Sequence, residues 1–311
     1  MNISRMRPPG RNELCWCGSG LKYKYCHLDI DSASRDTRLN SARRVYLRNW
    51  SQNAANLDRQ GAYDWMAGRL APYSPKRILD VGSGDGRGIE ALWRRFQCNF
   101  LISIDENREC LSAAASRLKN VGACPEIVHR LDVEMRSDKH YFLETQTGKL
   151  PLNTGIFLVE SDLLVDPELE SYLAKVPPFD AVTVWLVGTH LMRQHCLNLA
   201  PLEIRASGEY RLRVQNKVYE LADKVLKPGG VLQVVDRGEE PSSESVQRST
   251  LEGHREQASV TSLEVGHLDF MPYSEVEAGR RVHMVETREK PVENRSVSQL
   301  AIVSVIATKP S

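Results

Sequence analysis

The sequence contains no run of eighteen apolar residues, the length a helix needs to cross a bilayer, so no membrane span is expected. Met1 to Gly10 is basic and has no apolar stretch, which is not the form of a secretory leader; the expected location is the cytoplasm. An excess of one charge is missing too. The 41 Lys/Arg nearly cancel the 40 Asp/Glu, leaving +1, and this excludes a strong overall pull on nucleic acid. The cancellation is uneven, because residues 1–50 carry ten basic against four acidic side chains. Cysteines number seven, an odd count without an export signal, so a disulfide framework is not expected.

What remains is an ordinary globular composition: 311 residues, 41% hydrophobic, enough for one sizeable α/β domain with appendages. Its most informative stretch is Arg77 to Glu90, R-I-L-D-V-G-S-G-D-G-R-G-I-E. A short apolar strand (Ile78 to Val81) runs into a glycine-rich turn. A helix with apolar spacing at Ile89, Leu92, Trp93 and Phe96 follows, which is the layout of a nucleotide site. Gly82, Gly84 and Gly86 allow a tight turn against which a ligand can lie. The dinucleotide fingerprint needs glycine at position 87, where Arg87 stands. Asp80 on the strand would repel a pyrophosphate but suits an ammonium, so an amino-acid-bearing nucleoside is expected rather than NAD or ATP.

With that D-x-G-x-G-x-G turn the chain resembles the class I S-adenosylmethionine (SAM) dependent methyltransferases. The resemblance implies a doubly wound, mostly parallel α/β sheet of seven strands, the last antiparallel, across about Arg77 to Lys309. It also implies SAM as methyl donor, held by Asp80, Gly82, Ser83, Gly84 and Gly86. Asn99 to Asp105 reads as the second strand, ending in an acid about twenty residues past the turn. Asp105 is the expected ribose ligand, with a helix N-cap as its structural alternative. Two segments compete for the third strand: Ile127 to Val133, offering Asp132, and Gly155 to Leu163, offering Asp162. Spacing to the F-D-A-V strand at Phe179 favours the second. It assigns Asp162 and Leu163 to the adenine edge and leaves 124–153 as an insertion with hairpin character.

Trp185 to His190 (W-L-V-G-T-H) closes the fourth strand where a ligand should sit. The N/D-P-P-Y/F run of enzymes that methylate base amino groups is absent there. Trp185 is a candidate donor contact, and His190 is either a general base or a packing residue. Lys227-Pro228-Gly229-Gly230 stops a helix over Tyr210 to Leu226 and launches a strand at Val231, as in the resembled family. Ser242 to Ser262 reads as a polar surface segment or lid. Arg280 to Glu286 and Ser298 to Thr308 read as a final antiparallel pair.

Upstream, Cys15, Cys17, Cys26 and His27 crowd into thirteen residues too few to bury a core, which is what a tetrahedral metal site requires. The run resembles the SEC-C motif over about residues 9–28, known from the tail of the preprotein translocase ATPase. That resemblance implies zinc, with iron as the alternative, and a docking role toward a protein or ribosome partner. Asp29 to Arg35 reads as a linker. Thr37 to Leu70 reads as helices that break near Gly61; the methyltransferase resemblance implies that they cap the donor pocket, with Tyr63 and Trp65 either ligand contacts or core residues.

The expected organisation is therefore a knuckle (1–30), a linker with capping helices (31–76) and a methyltransferase domain (77–311). The acceptor is not named by the sequence, and no nucleic-acid-binding module is recognisable. A SAM-binding adaptor without catalysis, and a small-molecule methyltransferase whose knuckle is only structural, are the alternatives.

Overall fold

The computed structural model describes residues 9–17, 20–136, 141–147, 154–204, 207–275 and 299–311. Among the described residues ten strands form: β1 Arg77–Val81, β2 Phe100–Asp105, β3 Pro125–Val128, β4 Leu131–Met135, β5 Phe142–Gln146, β6 Gly155–Glu160, β7 Phe179–Trp185, β8 Leu226–Glu239, β9 Glu264–Pro272 and β10 Leu300–Thr308. Eight make one sheet in the order β3-β6-β2-β1-β7-β8-β10-β9, parallel except for β10, which runs antiparallel to both its neighbours. The helices are α1 Leu28–Asp31, α2 Arg35–Arg59, α3 Ala62–Arg69, α4 Arg87–Phe96, α5 Arg108–Asn120, α6 Leu169–Leu173, α7 Ser207–Val225 and α8 Glu244–Ala258.

The central strands read as continuous apolar runs because helices cover both faces of the sheet. Alternate residues then serve opposite cores. On β1, Ile78 enters the layer under α3, α4 and α5 with Leu92 and Leu111, whereas Leu79 and Val81 enter the layer under α7 with Val182 and Val218. Each such fully buried side chain contributes about 1.5–3 kcal/mol.

The sheet corrects the expected strand count. Among the described residues it has eight strands, not seven, because β3 pairs with the outer edge of β6. Residues 124–153 thus contribute an edge strand as well as a hairpin, β4 against β5. β6 lies beside β2, so Gly155–Glu160 takes the third-strand place and Asp132 stands exposed on the hairpin. Of the final pair, Ser298 to Thr308 contains β10, but Arg280 to Glu286 lies outside the described residues. β9 holds the edge beside β10. The polar stretch from Ser242 forms α8, whose N-cap Ser243 accepts a hydrogen bond from the Val246 N–H, and Tyr219 of α7 meets its His254 at 2.9 Å.

Asp29 to Arg35 is no slack tether. It holds α1, whose Ile30 is buried in the main core with Leu39, Ala42 and Val45 of α2. Gly61, at φ +78°, breaks α2 from α3 as expected. After β1 the chain adds β2 and β6 on one side, then crosses to place β7 on the other. That reversal is a topological switch point at the carboxyl ends of β1 and β7, the place of the crevice in which ligands of open α/β sheets bind.

Candidate functional site

The glycine turn lies at that crevice. Gly82 donates its N–H to Ile104 O (2.8 Å), and Gly84 donates to Asp105 Oδ2 (3.1 Å), so the turn is fastened to the end of β2. At Gly86, φ is +87° and an added Cβ would stand 2.6 Å from the Ala114 Cα of α5; only glycine lets the two backbones pass this closely. At Gly84 the neighbour is a side chain. A Cβ there would meet Trp50 Nε1 at 2.7 Å, because the α2 indole rests directly on the turn.

Asp105 closes the turn's outer side. Its Oδ1 accepts from the Asn107 N–H (2.8 Å), and Asn107, not Asp105, caps α5 by accepting from Glu109 N (3.1 Å). Burial, then the neighbouring Glu106, pushes the Asp105 carboxyl up. With about four lone-pair directions and two N–H partners, it retains capacity for hydroxyl donors. Asp80 lies beneath the turn and is buried. Its oxygens accept from Ser103 Oγ (2.6 Å) and Thr183 Oγ1 (2.7 Å), Ser83 Oγ meets Ser103 Oγ at 2.7 Å, and burial pushes Asp80 up to about 6. A cationic ligand nearby would reverse that shift.

The other expected contacts are dispersed. Trp185 turns its indole to Gln233 Oε1 (3.0 Å), inside the layer that holds α3 and α4. Leu163 is buried in the opposite core. Asp162 lies just past β6, but its carboxylate accepts from Arg193 Nε (2.9 Å) and from Tyr210 OH (3.1 Å). Tyr63 is buried in the core, and Trp65 lies beneath Arg69. The α2 side chains over the crevice are instead Tyr46 and Trp50; a Cβ on Gly188 would meet Tyr46 Oη at 2.7 Å.

His190 is buried, with Nε2 3.2 Å from Glu106 Oε2 but not aligned for a hydrogen bond, and Nδ1 has no hydrogen-bond partner among the described residues. Thr189 Oγ1 donates to Glu106 Oε1 (3.1 Å). Burial alone would raise Glu106, but His190, then Arg193 and Arg43, carry it well below the usual carboxylate range. Behind this pair, Arg193 donates to Glu144 Oε2 (2.7 Å) and Arg43 lies 3.5 Å from Glu144 Oε1, all three charged groups buried with Asp162. Sequence reasoning missed Glu106, Arg43, Tyr46, Trp50, Arg193 and Glu144. The recurrence of Leu39, Arg43, Tyr46, Trp50, Ala54 and Leu57 at helical spacing was the available signal.

The N-terminal cluster assembles as expected. His27 Nδ1 lies 3.2 Å from Cys15 Sγ and 3.3 Å from Cys26 Sγ, Cys17 Sγ lies 3.5 Å from Cys26 Sγ, and the four ligand atoms fall within 4.8 Å of one another. Three sulfurs and one nitrogen around a tetrahedral ion would stand roughly 3.5–3.8 Å apart, so the donor set fits a metal. Cys15 N donates to Leu21 O (2.7 Å), which folds the ligand hairpin.

A family model described as "SEC-C motif" matches residues 11–29. This segment is a SEC-C motif. No curated protein matches the chain. Solved structures similar to it include a putative methyltransferase from Bacillus halodurans, at 14% identity over 81% of this chain and 100% of that one, TM-score 0.43. Others are the N-methyltransferase NodS from Bradyrhizobium japonicum with S-adenosyl-L-homocysteine (12%, 79% and 86%, TM-score 0.39) and the O-methyltransferase TomG from Streptomyces achromogenes with SAM (14%, 80% and 79%, TM-score 0.40). At these scores the likeness carries no weight for function. Among the described residues no helix is long and apolar enough to cross a membrane.

Proposed function

We propose that the chain is a SAM-dependent methyltransferase with a zinc-bearing SEC-C knuckle. One observation carries the reading: the Gly84 N–H and the Asp105 carboxylate meet at 3.1 Å at the crevice where strand order reverses, joining a glycine turn to an acid that can accept ribose hydroxyls. When bound, SAM supplies an electrophilic methyl group on a sulfonium. The turn Gly82 to Gly86 holds the donor by backbone contact, Asp105 takes the sugar, and the buried Asp80 favours a cationic amino-acid end. Asp162, Leu163 and Trp185 act through the walls they build. Of these, Asp162 fixes Arg193 and Trp185 packs under the Gly88 end of α4.

His190 is the group that takes a proton from the acceptor. Its ring is buried at the end of the β7 loop, and Glu106 beside it stabilises the cation formed. Protonated, His190 would bring the buried cations beside Glu106, Glu144 and Asp162 to three against three. The exposed Leu14 and Trp16 on the knuckle support a docking role toward a protein or ribosome, and zinc is the metal that Cys3His donors favour.

A second reading has one observation in its favour. Tyr46 and Trp50 press on the crevice and His190 is itself buried, which suits a SAM-binding adaptor that performs no transfer. Calorimetric titration of the metal-loaded protein with S-adenosylhomocysteine tests donor binding. Transfer of labelled methyl from SAM to a cell extract, lost in His190→Ala, separates enzyme from adaptor.

A further inference from the structure

Helix α2 lies between the two parts of the molecule that the sequence suggests are separate. Its inner face carries Arg43, Tyr46 and Trp50. Arg43 Nη2 donates to Glu106 O (3.4 Å), Asn107 Nδ2 donates to Arg43 O (3.2 Å), Tyr46 crowds Gly188 and Trp50 crowds Gly84. These three residues therefore touch the ends of β2, the β7 loop and the glycine turn. At about 100° per residue, Asn49 and Arg48 point elsewhere. Asn49 Nδ2 donates to Tyr25 O (2.9 Å), one residue before the ligand Cys26, and Arg48 pairs with Asp29 of α1 at 3.0 Å. A second link runs through Leu191, which follows His190 directly and packs on the knuckle's small core of Cys15, Leu21, Tyr23 and Cys26.

That core is too small to hold the hairpin without a metal. With the metal lost, α2 and the His190 turn both lose their backing on one side. We infer that the knuckle is a buttress of the donor site, so that metal in the knuckle sets the affinity of the crevice for SAM, through Asn49 on α2 and Leu191 after β7. The inference rests on the methyltransferase reading for the identity of the ligand. Because the coupling is thermodynamic it works in both directions: donor binding also tightens the hold on the metal.

The experiment uses the full chain, zinc-loaded and after stripping with a chelator, titrated calorimetrically with S-adenosylhomocysteine. The expected result is an affinity about tenfold or more weaker in the stripped protein, with its far-UV circular dichroism retained. In reverse, S-adenosylhomocysteine should slow zinc transfer to a chromophoric chelator. Asn49→Ala keeps all four ligands and removes one link. Zinc-loaded Asn49→Ala should bind zinc stoichiometrically, yet show a smaller donor effect on zinc release. This variant carries the test if stripping unfolds the chain. Equal donor affinity with and without zinc overturns the coupling alone. No heat from the zinc-loaded protein overturns the donor reading and the coupling with it.

Discussion

Gly86 and Gly122 share nearly the same backbone, φ +87° and +86°, and differ in what surrounds them. A methyl at Gly122 meets nothing within 4 Å, whereas at Gly86 it stands 2.6 Å from a Cα that cannot yield without moving α5. Gly122→Ala should therefore cost about 1–2 kcal/mol from backbone strain alone. Gly86→Ala should add overpacking, for a total of about 2–5 kcal/mol. Urea unfolding midpoints of the two variants check the difference; equal losses would mean that α5 does not press on the turn. Asp80 makes a prediction in pH. Its folded carboxyl is raised to about 6 from an ordinary 3.8, chiefly by burial, so the folded state holds the proton more tightly than the unfolded one. The sign follows: this stabilisation is complete below the ordinary value and disappears as pH rises through 6. Wild type should lose on the order of 3 kcal/mol relative to Asp80→Asn between pH 3 and 7 without ligand. A pH-independent gap between the two proteins would show that Asp80 is not proton-linked to folding.

The buried charged network ties three elements together: the hairpin through Glu144 of β5, the turn after β6 through Asp162, and the segment after β7 through Arg193. Removing Arg193 leaves two carboxylates buried with their main cation gone. Arg193→Met should cost about 3–5 kcal/mol by chemical denaturation, and adding Glu144→Gln should recover part of it. An additive double variant would mean that the two groups do not interact. This network also shows where the sequence stopped being legible. β1, the glycine turn, β2, β6 and the end of α7 just before Lys227 were readable because local apolar period and turn chemistry specify them, although β8 begins at Leu226 and takes in Lys227 to Gly230. Arg193 finds its partners 31 and 49 residues away, and no local pattern announces a buried arginine. On α2 the apolar Leu47 is only half-buried, while the polar Arg43 and Asn49 are buried. Polar residues on the buried face hid the helix's orientation, so Tyr63 and Trp65 were favoured over Tyr46 and Trp50. The eighth strand was missed for a related reason. Pro125 to Val128 is four residues long and half-buried, so its place in the sheet depends on β6 being present to receive it.

Over the whole chain the expectation was a metal tip on a tether, and the structure packs that tip against α2 and Leu191 instead. A linker was inferred from polar composition, but Ile30 is buried in the main core and Asp29 pairs with Arg48 of α2, so α1 is held in place. The molecule should then respond to a donor ligand as one cooperative unit. A ligand that binds only the folded state, at a hundred times its Kd, adds about 2.7 kcal/mol. At about 2.1 cal/mol/K of unfolding entropy per residue, a chain of 311 residues melts about 4 °C higher. Scanning calorimetry of the zinc-loaded protein with saturating S-adenosylhomocysteine should show one transition displaced by that amount. A transition that splits, with only its upper part displaced, would mean that the knuckle and the sheet melt independently and that α2 does not join them. An unmoved transition would mean that the crevice beside Asp105 holds no such nucleoside.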